Sequence, residues 1–213
     1  MQQGSDEWQL AHAGILSGRH MDTIMKGGMR AWCTLLDRKK AEIEDPTILL
    51  NDEINAAAIN HGNKYEDEAI DHYELIYDVD VERPSLMMHP EVKFLGCSPD
   101  FWLPKPKIVG EVKCPHNPAN HMLNVVHGAG VMTYRPQIML EVECTKAEEA
   151  HFVSYDPRNP DPAMQFIRIC VERDDDYIDH MLTRCHEFWH YLTTDTRPQA
   201  PSYSCNDGIP DIF

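Results

Sequence analysis

Apolar and polar positions change period twice along the 213-residue chain, dividing it into helical and strand-like stretches. The first stretch reads as helix throughout. Ser5 offers an N-cap to a short helix that carries Trp8 and Leu10 and closes at Gly14. Ser17 offers a cap to a second helix ending at Gly27-Gly28, and Ala31, Trp32, Leu35 and Leu36 have the spacing of a third. A long helix is predicted over 51–77, with Ile54, Ala57, Ala58, Tyr65, Ala69 and Tyr73 as candidates for its buried face.

Beyond this helix the period falls to two. Residues 79–83 alternate, and 93–97 and 108–114 are short strand-like runs bounded by prolines. Leu103-Pro104-Lys105-Pro106-Lys107 reads as the turn of a hairpin. Helical spacing returns over 118–127 and 133–144, and two further strands are expected over 151–155 and 165–171. Asp174-Asp175-Asp176 open a last helix, with acids where the helix dipole favours them. This order predicts an α/β (α+β) fold with a small mixed central sheet flanked by helices. It forms one domain over 1–194, followed by a tail over 195–213 that is too proline-rich for regular structure.

Charge narrows the classes of function. Lys and Arg number 19 against 35 Asp and Glu, a net of −16, which argues against general affinity for nucleic acid or anionic lipid. The excess is uneven. Residues 1–40 carry six bases and four acids, whereas 141–180 carry eleven acids and four bases. Any phosphate-binding face should therefore draw on the first part of the chain, and the acid-rich part reads as a solubilising shell. Seven scattered cysteines without a C-x-x-C pair fit reduced thiols rather than a disulfide framework. No apolar run is long enough to span a membrane and no secretory signal is visible, so a cytoplasmic location is expected.

The chemistry concentrates in the middle. Ser98-Pro99-Asp100 is followed eleven residues later by Glu111-Val112-Lys113. On neighbouring strands of one hairpin, Asp100 and Glu111 converge, and Glu111 and Lys113 leave the same face. Two carboxylates can hold a hard divalent cation such as Mg²⁺, and the lysine can orient an attacking water or neutralise a developing anion. By spacing alone a surface Glu/Lys pair beside a Pro-Asp turn is the favoured reading, since Asp, Glu and Lys are common residues. The apolar flanks, Ile108-Val109 before and Cys114-Pro115 after, make charged residues locally out of place and favour a site.

Pro99-Asp100 with Glu111-Val112-Lys113 matches the PD-(D/E)XK nuclease signature. Further blocks extend the match: Glu7-Trp8 with Gly14 and Ser17, the run from His61-Gly62-Asn63 to Glu66 and Ala69, Tyr134-Arg135-Pro136-Gln137, and Tyr155-Asp156-Pro157-Arg158. Over about 6–181 the chain resembles the lambda exonuclease/YqaJ-type viral recombinase family. The resemblance implies a metal-dependent 5′→3′ exonuclease on linear double-stranded DNA. It implies a homotrimeric ring threaded by DNA, a phage or prophage origin, and a single-strand annealing protein as partner. It also implies Mg²⁺, with Mn²⁺ as substitute, held by Asp100, Glu111 and the Val112 carbonyl. Lys113 then positions water, with Glu66 and Gln137 as further catalytic residues and Ser98 as a hydroxyl near the 5′ phosphate. Ser17 belongs to the same DNA-binding set, and Ile59 falls where the family has an apolar wedge, though a core isoleucine reads equally well.

One departure stands out. Where the family grips the 5′ phosphate with an arginine, this chain has His12, while Arg19 replaces a small hydroxyl residue. The positive charge is thus expected at Arg19, with His12 donating a hydrogen bond or, protonated, a charge. Three copies at −16 each carry −48, so a DNA channel needs a basic lining, for which Arg19, Lys26, Arg30 and Lys39 are the candidates. Cys185, His186 and His190 have zinc-like spacing, but no second ligand pair is evident and Phe188-Trp189 indicates packing. His116 and His121 read as capping or surface residues, and Trp102 as core. The competing readings are an endonuclease on the same core and an inactive scaffold that loads an annealing protein.

Overall fold

The computed structural model describes residues 4–51 and 56–198. Three helices come first: α1 (Asp6–Ala11), α2 (Gly18–Lys26) and α3 (Met29–Glu44). Ser5 caps α1 by accepting the Trp8 N–H, and the Ser17 N–H at the start of α2 donates to His20 Nδ1 at 2.9 Å. The long helix α4 (Ala56–Tyr77) follows. Tyr65, Ala69 and Tyr73 lie on its packed face, whereas Ile54 and the side chains of Ala57 and Ala58 lie outside the described residues.

A two-residue ribbon, β1 (Met87–Met88) with β2 (Gly96–Cys97), precedes the main sheet. That sheet orders β3 (Phe101–Leu103), β4 (Ile108–Lys113), β5 (Glu149–Tyr155) and β6 (Phe166–Glu172) side by side. β4 and β5 run parallel, and the outer pairs are antiparallel. Helices α5 (Pro118–His127) and α6 (Ala129–Thr145) form the crossover between β4 and β5, and α7 (Asp175–Thr194) closes the chain of elements.

The sheet is buried on both faces, so β4 is a continuous apolar run interrupted by its functional residues. On one face Ala69, Ile70 and Tyr73 of α4 pack on Phe101, Ile108, Val112 and Val153. On the other, Val109, Ala150 and Phe152 pack against Ile138, Met139 and Val142 of α6, continuous with Met181 and Phe188 of α7. Each fully buried side chain of this size contributes about 1.5–3 kcal/mol. Gly110 draws β3 close to β4. A Cβ there would lie 2.1 Å from the Phe101 ring, so only glycine lets that ring cross the strand.

Several expectations shift. Residues 79–83 make a single bridge, Glu82 with Trp102, because β3 offers three residues and Pro84 brings no N–H to continue. Of 93–97 only the last two residues form strand, since Leu16 takes the Phe94 carbonyl and the Gly96 N–H. Helix α6 starts four residues before the expected 133. Gly128 turns in the left-handed region at φ 60°, and Asn124 Oδ1 accepts the Gly130 N–H.

Lys39 is not a channel residue. It is fully buried, donating to the Ile15 carbonyl at 2.8 Å and Glu42 Oε2 at 2.5 Å. Nor is the acid-rich stretch only a solvated shell, since Glu141, Glu143 and Asp156 are buried. His121 is buried too, bound to Ser154 Oγ and the Met164 carbonyl. His186 packs edge-on against Phe94, and Cys185 is buried beside Met21. Among the described residues the His/Cys/acid group close enough to share an ion is Glu149, His151 and Cys170. Both ring nitrogens of that histidine are already engaged, by Glu149 and Tyr73. The start of the tail lies along α3, with Asp195 paired to Lys40 and Arg197 to Asp37; from 199 it lies outside the described residues. No helix among the described residues is long and apolar enough to cross a membrane.

Burial pushes the Lys39 ammonium down to about 8. Between pH 8 and the ordinary lysine value near 10.5, the folded chain has released this proton while the unfolded chain keeps it. Its contribution to stability therefore grows with pH across that window. In Lys39→Met, Glu42 keeps Arg38 at 3.1 Å and Arg19 at 3.9 Å. The melting-temperature gap between parent and Lys39→Met should widen in the parent's favour from pH 8 to 10, and parallel profiles would contradict the assignment.

Candidate active site

The β3–β4 hairpin sets the first wall. Its register pairs Phe101 with Gly110, and the Asp100 N–H donates to the Gly110 carbonyl at 3.0 Å. Asp100 and Glu111 thereby meet at the end of the ribbon. Asp100 Oδ2 accepts the Val112 N–H at 2.6 Å, which fixes the carboxylate between Glu111 and Lys113. Those two residues project from β4 on the α6 side and pair with each other. The Val112 side chain turns into the opposite core, leaving its backbone at the site.

Two further elements close on this ribbon. From α6 come Gln137 and Glu141, one turn apart, with the Gln137 amide donating to Glu141 Oε1 at 2.9 Å. From α4 comes the half-buried Glu66. A cavity of about 220 Å³ is lined by Asp100, Glu111, Lys113, Gln137 and Glu141 together with His12, Ser17, Gly18, Arg19 and Ser98. On the far side of Lys113 lies a larger cavity of about 800 Å³, lined by Glu66 and by neutral groups such as Asn63, Asn120 and Thr133. Arg158 bounds it indirectly. Held by Asp156, it donates to the Pro115 and His116 carbonyls and so pins the chain as it leaves β4.

The electrostatics are crowded. Burial, then the neighbouring Glu111 and Glu66, holds the Asp100 carboxyl well above the usual range. Burial and Glu111 do the same to Glu141, and burial raises Glu66 against the pull of Lys113. Burial works against the Lys113 charge, but Glu111 and Asp100 outweigh it and hold the ammonium above its ordinary value. Glu111 Oε2 and Glu141 Oε2 are buried without a hydrogen-bond partner among the described residues. Carboxylate oxygens left over after the protein's own donors are used fit a hard divalent cation, which takes oxygen ligands and brings water. Asp100, Glu111 and the Val112 carbonyl are the groups at hand to hold it.

His12 takes a different part from the one expected. Its Nδ1 lies 2.7 Å from the Trp8 carbonyl, which only accepts, so the proton sits there. Its Nε2 is then the acceptor for the Ser98 hydroxyl at 3.2 Å, while Trp8 Nε1–H donates to Ser98 Oγ. Burial, with Arg19 and Lys39 nearby, lowers the His12 pKa against the pull of that carbonyl. The ring is neutral, fixes Ser98, and has no proton to offer outward. Arg19, 3.9 Å from Glu42, is an exposed cation that lines the same cavity. Ile59 lies in α4, but its side chain is outside the described residues.

Three contributors escaped the sequence reading: Trp8 as a donor to Ser98, Gly18, and Glu141. The last stands four residues after Gln137, a spacing that on a helix puts both on one face.

The YqaJ-like viral recombinase domain matches residues 7–148. The crystal structure of an alkaline exonuclease (LHK-Exo) from Laribacter hongkongensis is similar at a TM-score of 0.81 and 27% identity, covering 90% of this chain and 94% of that one. LHK-Exo in complex with dAMP gives 0.80 at 26% identity, with 90% and 94% covered. A phage related exonuclease from Haemophilus somnus 129PT gives 0.59 at 12% identity, over 88% and 94%, a likeness of fold. No curated protein matches.

Gly18 makes room for Gln137. A Cβ at position 18 would lie 2.6 Å from Gln137 Cγ. Gly18→Ala should destabilise the protein by about 1–3 kcal/mol through overpacking. In the double variant with Gln137→Ala, denaturant unfolding should recover most of that loss; strictly additive costs would show that the two residues do not oppose each other.

Proposed function

The chain belongs to the YqaJ-like viral recombinase domain family, and we propose that it is a divalent-metal-dependent 5′→3′ exonuclease on linear double-stranded DNA. It releases 5′-mononucleotides and leaves a 3′ single strand for annealing-type recombination. The observation that carries this reading is the meeting of Asp100, Glu111 and Lys113 with Gln137 in a cavity that Arg19 and Ser98 also line. The similarity to LHK-Exo supports it, since that protein is an alkaline exonuclease with a structure in complex with dAMP.

A bound Mg²⁺, or Mn²⁺ in its place, supplies Lewis acidity for a water and for charge on the phosphoryl oxygens. The chain's own residues do the rest. Lys113, kept charged by Glu111 and Asp100, donates to the attacking water or to the phosphoryl oxygen. Gln137, anchored on Glu141 and packed on Gly18, orients the same water or phosphate. Glu66 lines the approach from the larger cavity. In the smaller cavity Arg19 and the N-terminus of α2 at Ser17 receive the 5′ phosphate, with the Ser98 hydroxyl held by Trp8 and His12. The larger cavity, lined mostly by neutral groups apart from Glu66 and Lys113, suits the sugar and base side of the strand.

A homotrimeric ring and an annealing-protein partner belong to the same reading. With −48 on three copies, topological enclosure replaces electrostatic grip, so the salt dependence of initial binding is modest. An inactive scaffold is disfavoured because Glu66, Asp100, Glu111, Lys113 and Gln137 are all present.

With Mg²⁺, linear duplex should be consumed and closed circular duplex spared, and EDTA should stop the reaction. Asp100→Asn and Glu111→Gln should each lower turnover by at least about 10³-fold, the upper part of the range for one positioned group. Cutting of closed circles would favour an endonuclease on the same core. Digestion undiminished in both carboxylate variants would remove the assignment altogether. Arg19→Ala should lose most of the parent's preference for 5′-phosphorylated over 5′-hydroxyl ends, and an unchanged ratio would place the phosphate elsewhere.

A further inference from the structure

The proposed chemistry gives the cation to Asp100 and Glu111 and uses Glu141 only as an anchor for Gln137. Yet the setting of Glu141 is unusual. It is 1% exposed, in the middle of α6, and lines the same cavity as Asp100 and Glu111. A buried carboxylate costs several kcal/mol unless paired and hydrogen-bonded. Two residues further on, Glu143 shows how this chain pays that cost. It too is buried, but Arg173 reaches it at 2.6 Å, His89 at 3.0 Å, and Lys146 pairs with it as well. Among the described residues no salt bridge reaches Glu141. Oε1 takes the neutral Gln137 amide, Oε2 has no donor among the described residues, and the group closest in chemistry is another carboxyl, that of Glu111, within hydrogen-bonding reach. Glu111 beside it also has a buried Oε2 without such a partner.

Packing alone gives no reason for this. A leucine or glutamine of similar volume would avoid the cost. A positive charge arriving in the cavity does give one, because it turns crowding between the carboxylates into shared attraction.

We propose that Glu141 is a positioning residue of the cation site: one carboxylate oxygen holds the Gln137 amide, and the other adds an acceptor for the hydration shell of a divalent cation held by Asp100 and Glu111. This rests on the metal-dependent reading above and adds a residue to it. The carboxylate then strains the metal-free fold and strengthens metal binding, two effects of opposite sign that a merely structural residue does not have.

Glu141→Gln keeps volume and an amide oxygen for Gln137 but removes the charge. Calorimetric titration of the full chain with Mn²⁺, without DNA, should show affinity about tenfold weaker, the scale typical of groups that orient a metal's ligands. In EDTA the same variant should melt at or above the parent's temperature. Its turnover on linear duplex should fall at limiting Mg²⁺ and recover at high Mg²⁺. Glu141→Ala, which also releases Gln137, should not recover. Parental Mn²⁺ affinity in Glu141→Gln, or melting several degrees below the parent in EDTA, overturns the proposal. Asp100→Asn in the same titration separates the two levels. If it loses Mn²⁺ while Glu141→Gln does not, only the role of Glu141 fails. If Asp100→Asn binds Mn²⁺ like the parent, the metal site itself is wrong and the role of Glu141 goes with it.

Discussion

Four carboxylates, Glu66, Asp100, Glu111 and Glu141, face a single ammonium, Lys113, where β4 leaves the sheet. Two like charges 4 Å apart cost about 4 kcal/mol at the effective dielectric of a protein. Such an arrangement persists only if rigid elements impose it. The sheet does so by being packed on both faces, with α4 on one and α6 on the other. Gly110 brings β3 near enough for Asp100 to take the Val112 N–H, and Gly18 lets α2 rest on Gln137. The two apolar cores thus supply the free energy that holds unfavourable charges together. The site is a place where local stability has been given up, as functional sites generally are.

How much of this the sequence disclosed depends on the range of the interaction. The hairpin was legible because its signals are local: prolines in the turn, apolar runs on both sides, and carboxylates at the ends. Helix α7 was legible from the run of aspartates in its first turn, and α5 from its helical spacing, to which the fold adds an Asn117 cap before Pro118. The alternation over 79–83 was misleading because strand formation needs a partner edge, and the edge offered by β3 is three residues long. Lys39 looked like a surface base because its partner, the Ile15 carbonyl, lies 24 residues away in a loop whose path the sequence does not announce. Glu141 looked like one acid among eleven between 141 and 180 for the same reason. His12 was placed near the phosphate wall, but its tautomer follows from a carbonyl and a hydroxyl brought together by the fold.

The same distinction reconciles a net charge of −16 with the proposed DNA substrate. Some of the acids are not on offer to solvent. Glu143 is satisfied by Arg173, Lys146 and His89, Asp156 by Arg158, and Glu42 by Lys39 and Arg38. Some surface bases are likewise spent, Lys26 on Asp22 and Arg83 on Asp67 and Asp71. At physiological ionic strength exposed charges are screened over about 8 Å. The charge felt by a phosphate entering the smaller cavity is therefore set by two sets of groups that line it, Arg19 with the α2 N-terminus, and the carboxylates. A phosphodiester drawn to the first is pressed toward the second, and only a cation makes the second tolerable. On the proposed function, the acidity of the site and its use of a metal are one constraint, and it acts over the width of a single cavity rather than over the surface of the protein.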